Sequence, residues 1–446
     1  MKHEVELGRG TAHLLADRIA KLELASLSLS TLHAARRCVV DVLGCAAAGR
    51  RESGVTSAAT WARATYPAGL STVWFLRERL SPVGAAFINA SAASILDLDD
   101  GHRVAAGHPG AAIVPAVLAA GEASGAGMQD MLLAIAAGYE AGVACAQLRS
   151  PAAQSTVATG RWSTIGVAAA LAKLMGLDTE RMRHALTLAE SHAPNLLAAD
   201  YSGFQGGHVK EGIPWSVVSG FAAAELAAQG FRGYDQALSN PTMYRAPQPS
   251  DETGAPLIES TYYKRFACCR WMHSAIDAAL DLKSRLPVNV PVQSIAIDTF
   301  ARAATLPNQA EPRDLIAAQF SVPFAVAAAW LRGAEALLPM DESLLADAEV
   351  TEFARRIHVN VAPALDAMYP LKVPARVTVQ TPQAQVQAEV ISPVGDYDNP
   401  LADTALLDKA VHLAGHAGVS LPRVALAGIL SGEATARQLF ETVQAD

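Results

Sequence analysis

A chain of 446 residues is longer than one hydrophobic core usually supports, so two domains are expected. The formal charge of −8 and the lack of any Lys/Arg-rich run exclude nucleic acid as the expected partner. Apolar residues make up 51% but aromatics only 6% and charged residues 17%, which suits alanine-rich helices whose axes approach closely and a homodimer with an apolar interface.

The N-terminal residues MKHEVELGRGTAHLLADRIA are charged and lack a signal peptide's apolar stretch. No uninterrupted apolar run reaches membrane-spanning length, so no membrane partner is expected. The five cysteines follow no disulfide or zinc-ribbon spacing, and a cytoplasmic, reducing location follows.

In chain order, residues 11 to 49 predict two helical segments. Leu32, Ala35, Val39, Val42, Leu43 and Ala46 give the second one broad apolar face. A short helix over ESGVTSAATWARATY and an extended piece at LSTVWFLRERLSP precede the small-residue segment AAFINASAASIL. That segment runs into Asp97, Asp99 and Asp100, then a polar turn with His102, Arg103 and His108, and Pro109-Gly110 opens another Ala-rich helix. Further helices are predicted at MQDMLLAIAAGYEAGVACAQL, GRWSTIGVAAALAKLMGLD, DTERMRHALTLAESHAP and WSVVSGFAAAELAAQGF, with Asp178 or Thr179 as a cap. Beyond residue 261 strands are predicted at VQSIAIDTF and RIHVNVAP, a helix at LIAAQFSVPFAVAAAWLRG, and a hairpin over ARVTVQTPQAQVQAEV. The expected fold class is mainly α: a large all-α helical domain over residues 1–261, to which 395–446 return, with a smaller α+β lid domain inserted at 262–394.

Ionisable residues gather in four places: Asp97–His108, Arg161, Tyr201–Lys210 and Lys264–His273. Three acids, two imidazoles and a guanidinium between segments that must be buried point to a pocket that uses them. A lysine or histidine in a dry pocket can take a proton from carbon, and nearby cations can hold carboxylates and stabilise enolate-like charge. No HExxH, CxxC or phosphate-binding glycine motif occurs, so neither a metal nor a nucleotide is expected. His412 and His416, four residues apart, read as an exposed helix face rather than a metal site. Cys268 and Cys269 read as packing residues.

Four segments carry a family likeness: LDLDDGHRVAAGHPGAAIVPAVLA, GRWSTIGVAAALAKLMGLD, HVKEGIPWSVVSGFAAAELAAQGF and YKRFACCRWMHSAIDA, extended by ARVTVQT and GDYDNPL. Together they resemble the MmgE/PrpD family, which includes 2-methylcitrate dehydratase, cis-aconitate decarboxylase and iminodisuccinate epimerase. The resemblance implies a helical domain with a smaller lid, a dimer, no metal or organic cofactor, and an interdomain pocket for di- or tricarboxylates. Carried over by motif, the site positions are Asp97, His108, Lys210, Lys264 and His273.

The chain departs from the decarboxylase-like members at Gly101, Trp162, Cys269 and Phe324, where proton-donating or hydroxyl side chains are lost. Dehydration and decarboxylation both need a positioned acid, whereas epimerisation only removes and returns one proton. The expectation is therefore a cofactor-independent epimerase of a substituted succinate, with iminodisuccinate favoured by resemblance. Lys210 and His108 would serve as bases, with Asp97 orienting His108. Lys264, His273, Arg161, His102 and Tyr201 would bind substrate. Two alternatives stand beside it: a 2-methylcitrate dehydratase-like lyase on a hydroxy tricarboxylate, and a non-catalytic helical dimer that has lost its activity.

Overall fold

The first helices, α1 (Thr11–Ala20) and α2 (Leu29–Gly49), are separated by a polar turn in which Ser28 caps α2 by accepting the Thr31 amide at 3.0 Å. This architecture is that of a computed structural model, which describes residues 10–150, 159–196, 207–248, 255–288 and 290–444. After α3 (Ser53–Thr65) the extended piece forms a small antiparallel hairpin, β1 (Ala68–Val73) with β2 (Glu78–Leu80). There follow α4 (Pro82–Ser94), the two-residue strand β3 (Gly101–His102), α5 (Gly110–Ser124), α6 (Met128–Leu148), α7 (Thr159–Leu174), α8 (Thr179–His192) and α9 (Ile213–Ala228). Asp178, one of the two expected caps, accepts the Arg181 amide at 2.8 Å and starts α8.

Helices α4 and α5 are buried on nearly all sides, which is why their sequences show no apolar stripe. Small residues set how closely the helices cross. A Cβ on Gly138 of α6 would lie 2.8 Å from the carbonyl oxygen of Gly166 on α7, so the two backbones meet only because both positions are glycine. Helix α6 is long and apolar enough to cross a membrane, but 89% of its apolar window is buried inside this fold.

Beyond residue 260 the texture changes as the sequence predicts. The strand β4 (Thr261–Tyr262) pairs with β3, and α10 (His273–Arg285) packs on a four-stranded sheet. That sheet runs in the order β6 (Ile357–Val361), β5 (Ser294–Thr299), β7 (Ala375–Gln380), β8 (Gln385–Val390). The β5–β6 pair is parallel, with Ile297 opposite Val359, and the other two pairs are antiparallel. The helix expected over LIAAQFSVPFAVAAAWLRG is broken. One turn covers Leu315–Ala318, then α11 (Val322–Arg332) restarts with Ser321 accepting the Phe324 amide at 3.2 Å. The hydroxyl cap and Pro323 in the first turn reset the helix, and the break frees Gln319 for the site described below.

The chain ends in α12 (Asp403–His416), α13 (Arg423–Ser431) and α14 (Ala436–Thr442). Helix α12 returns to pack on α2 and brings Lys409 to Asp41, with 2.7 Å between the ammonium and Oδ1. All five cysteines are free.

Candidate active site

The segment between α4 and α5 turns back on itself in two ways. Asp97 takes a left-handed backbone (φ 55°), sparsely populated for a residue with a side chain. Then β3 pairs with β4, Gly101 opposite Tyr262, which fastens the loop to the segment carrying Tyr262 and Lys264. The loop closes on α5 through Asp100, whose Oδ1 accepts the Gly110 amide at 2.8 Å. A Cβ on Gly110 would lie 2.4 Å from that oxygen, so this cap needs glycine there.

Asp97 is the hub. It is buried, its Oδ1 accepts from Lys210 at 2.6 Å, and its Oδ2 accepts from Lys264 at 2.7 Å. Lys264 also donates to the Asp97 carbonyl at 3.0 Å. Burial by itself would push the Asp97 carboxyl up, but Lys210, Lys264 and His108 outweigh it and hold it well below the usual range. Lys264 is moved in the opposite direction to the one a near-neutral base requires: burial lowers it, Asp97 more than offsets that, and it stays an ammonium.

His108 lies beside this pair. Its Nδ1–H donates to the Asp100 carbonyl at 2.9 Å, Nδ1 is 3.4 Å from Asp99 Oδ2, and Nε2 is 3.7 Å from Asp97 Oδ1. Burial and Lys264 oppose its charged form, while Asp99 and Asp97 favour it more strongly, so the imidazole is held above its ordinary value. The charged form of His108 is thus favoured, with the Asp100 carbonyl and Asp99 at Nδ1 and Asp97, the orienting acid the sequence suggested, at Nε2.

Asp97, His108 and Lys264 line one cavity together with Arg103, Glu211, Tyr262, Cys269 and Arg270. It holds about 600 Å³ of empty space, its open mouth included. Arg103 and Arg270 share the buried carboxylate of Asp396, with Arg270 at 3.1 Å, and Arg103 also donates to the Leu371 carbonyl. Burial pushes Arg270 down to about 10, still charged at neutral pH. Burial pushes the Cys269 thiol up to about 12 and raises Tyr262 as well, so both stay protonated. Glu211 accepts from the Thr159 amide at 3.1 Å and its hydroxyl at 2.5 Å through Oε2. Thr159 in turn accepts the His108 amide at 3.1 Å.

The remaining expected residues fall elsewhere. Lys210 does not line this cavity. It reaches Asp97 from a neighbouring hollow lined by Phe87, Ser94, His208 and Trp215, and Gln319 Oε1 lies 3.4 Å from its ammonium. Its turn is strained, with Lys210 (φ 42°), Glu211 (φ 56°) and Gly212 (φ 75°) successively left-handed. His102 is buried away from the cavity, donating through Nε2 to the Leu257 carbonyl at 3.1 Å, and burial drives its pKa down to about 4. His273 is fully buried between Arg270 (3.2 Å) and the Cys268 carbonyl (3.2 Å), and burial and Arg270 hold it neutral. Arg161 is paired with Glu190, which also accepts from Tyr244 at 2.6 Å. In all three a buried partner uses the side chain, and none of them lines the cavity. Tyr201 lies outside the described residues.

Among the described residues no three His, Cys, Asp or Glu side chains group as a metal site. The sequence reading counted Arg103 among the ionic groups of its turn without giving it a role, and it passed over Arg270, Tyr262, Gln319 and Asp396 as site residues. The only signal for the arginines was their place in loops already marked as ionic. Asp396, though inside the quoted GDYDNPL segment, and Gln319 were given no role, because Arg103 and Arg270 for the one and Lys210 and Ile95 for the other are more than a hundred residues away.

Two family models cover most of the chain. Residues 13–246 match the MmgE/PrpD N-terminal domain and residues 266–422 the MmgE/PrpD C-terminal domain, so the chain belongs to the MmgE/PrpD family. Among individual proteins it is similar to a cis-aconitate decarboxylase of Aspergillus terreus, 26% identical over 57% of this chain and 56% of that protein. One from Aspergillus terreus strain NIH 2624 / FGSC A1156 is 24% identical over 86% of this chain and 85% of its own length. The Homo sapiens cis-aconitate decarboxylase is 28% identical over 61% of this chain and 59% of that protein. The chain thus spans less than two thirds of two of these relatives and most of the third.

Proposed function

We propose that this chain is a lyase acting on a small substrate with more than one carboxylate, and that its reaction is a decarboxylation of the cis-aconitate kind. The observation that carries the reading is the character of the cavity wall, where proton donors and cations stand beside two carboxylates, Asp97 and Glu211, that are already held by Lys264, Lys210 and Thr159. Asp99 and Asp97 favour the imidazolium form of His108, and Lys264 is an ammonium, Cys269 a thiol and Tyr262 a phenol. Decarboxylation needs no strong base. The C–C bond to the departing carboxylate breaks, its electron pair spreads into the remaining unsaturated carboxylate system, and His108 gives the Nε2 proton to carbon as CO2 leaves. Lys264, Arg103 and Arg270 hold the other carboxylates and stabilise the charge as it moves.

Epimerisation of iminodisuccinate has less support. It needs a base on each face of the carbon, and Lys210, the base expected on one face, stands behind Asp97. The losses that favoured it also count for less: Gly101, Trp162 and Phe324 are buried outside the cavity lining, and only Cys269 of the four reaches it. Dehydration of a hydroxy tricarboxylate remains a lyase reaction for the same donor, but it too requires a base.

The test incubates the purified chain with cis-aconitate, 2-methylcitrate and iminodisuccinate and follows each by proton NMR with CO2 capture. Release of CO2 from cis-aconitate with one solvent deuteron entering the product supports the reading. Water loss from 2-methylcitrate, or α-deuterium exchange in iminodisuccinate with no CO2, replaces it.

A further inference from the structure

Behind His108 lies a buried group that the reaction above does not use. Asp99 has no solvent exposure, and neither of its carboxylate oxygens takes a hydrogen bond. Among the described residues its one ion-pair contact is His108 Nδ1, at 3.4 Å. A carboxylate buried without hydrogen bonds is costly, and such a group persists where it serves a neighbour. Asp99 is also one step in an alternation of buried charges across the fold. Lys409 on α12 pairs with Asp41 on α2 at 2.7 Å and donates to the Leu98 carbonyl at 2.8 Å, next to Asp99 in the chain. Past Asp99 come His108, then Asp97, then Lys264 and Lys210.

We propose that Asp99 is a positioning residue that keeps His108 a cation with its Nε2–H turned into the cavity. The geometry assigns the two ring nitrogens different tasks. Nδ1 faces the Asp100 carbonyl and Asp99, both out of solvent, so that face is fixed as a donor. Nε2 is left on the cavity side, beside Asp97. A neutral imidazole donating from Nδ1 would present a bare lone pair at Nε2, a base. With Asp99 beside the ring, the second proton stays on and the same nitrogen is an acid. The groups that face His108 are Asp97, Asp99 and Asp100 of its own loop, Lys264 after β4, and Lys210 through Asp97. Tyr139 of α6 acts through Asp100, Asp41 and Lys409 lie behind Asp99, and Thr159 with Glu211 sits at its backbone. The inference rests on the lyase reading for its use in catalysis, but the state of His108 is measurable without substrate.

The experiment labels the full chain with 15N-histidine and follows the ring nitrogens through a pH titration, with His108 assigned from the signal lost in His108→Gln. In the wild-type chain both ring nitrogens are expected to be protonated at about pH 7. In Asp99→Asn the His108 midpoint is expected to fall by about one unit or more, and any measured lyase rate to lose its alkaline limb by the same interval. A neutral His108 in the wild-type chain at that pH overturns the proposal, and this arm needs no variant to fold. An unchanged midpoint in a folded Asp99→Asn overturns it as well. A midpoint that falls while the rate profile stays put supports Asp99 in its role and removes His108 as the proton donor, which is a failure of the lyase assignment alone.

Discussion

Lys210 holds Asp97 from the side away from the cavity, 2.6 Å from Oδ1, while Lys264 takes the other oxygen at 2.7 Å from within it. One carboxylate therefore fixes two ammonium groups, of which a single one can meet substrate. Removing one partner of a buried pair costs about 3–5 kcal/mol, because the remaining charge stays buried. Lys210→Met is expected to lower kcat about tenfold or more with little change in KM, since Asp97 and Lys264 lose alignment but the binding wall is intact. Lys264→Met is expected to raise KM and lower kcat together. Steady-state kinetics on the two variants checks this, and a rise in KM for Lys210→Met alone would contradict it.

The rate is expected to depend on pH through His108. Its pKa is raised in the folded chain, so the imidazolium is present below that value and is lost as pH rises through it. With His108 as the donor, kcat/KM should be flat on the acid side of this transition and fall tenfold per unit above it. His108→Asn should remove the limb and leave a rate that does not depend on pH over the same interval.

Asp100 gives a second pH effect, this time on stability. Burial, with Asp41 next in weight, raises its pKa from 3.8 to about 7. The folded chain therefore binds more protons than the unfolded one between those values, and stability from this group falls as pH rises through that window. Asp100→Asn is expected to flatten the dependence of Tm on pH there and to raise Tm above pH 7. An Asn can still accept from the Gly110 amide, so the cap survives. A Tm that drops at every pH would show that the Tyr139 contact outweighs the charge.

Arg103 and Arg270 share the carboxylate of Asp396, which leaves one more positive charge than negative on that side of the cavity. A substrate carboxylate completes the set. Arg103→Met is expected to raise KM for a tricarboxylate about ten- to a hundredfold, the size of a lost charge-assisted hydrogen bond of about 1.5–3 kcal/mol. The change for a monocarboxylate analogue should be small. Equal losses for both would place the third carboxylate elsewhere.

The helices, the hairpin and the mixed strand-helix texture after residue 261 were legible because each is written in local periodicity and caps such as Asp178. That Asp97, His108 and Lys264 come together was legible as well, since loops dense in charge between buried helices leave few uses for them. The division of labour among them was not. Lys210 and Lys264 look equivalent in sequence, and only the fold puts Asp97 between one of them and the cavity. The buried partners of His102, His273 and Arg161 were not legible: Leu257 and Glu190 lie far along the chain, and the Cys268 carbonyl is a backbone group that no motif marks. The broken helix around Gln319 was hidden because its apolar pattern continues through a break that one serine cap makes.

The pairing of Asp41 with Lys409 spans 368 residues. During synthesis α2 leaves the ribosome long before α12 is made, and until Lys409 arrives Asp41 has no counter-charge to offset the cost of its burial. The final seating of α2 therefore depends on α12, one of the last elements to be made, so this contact closes only when nearly the whole chain is present.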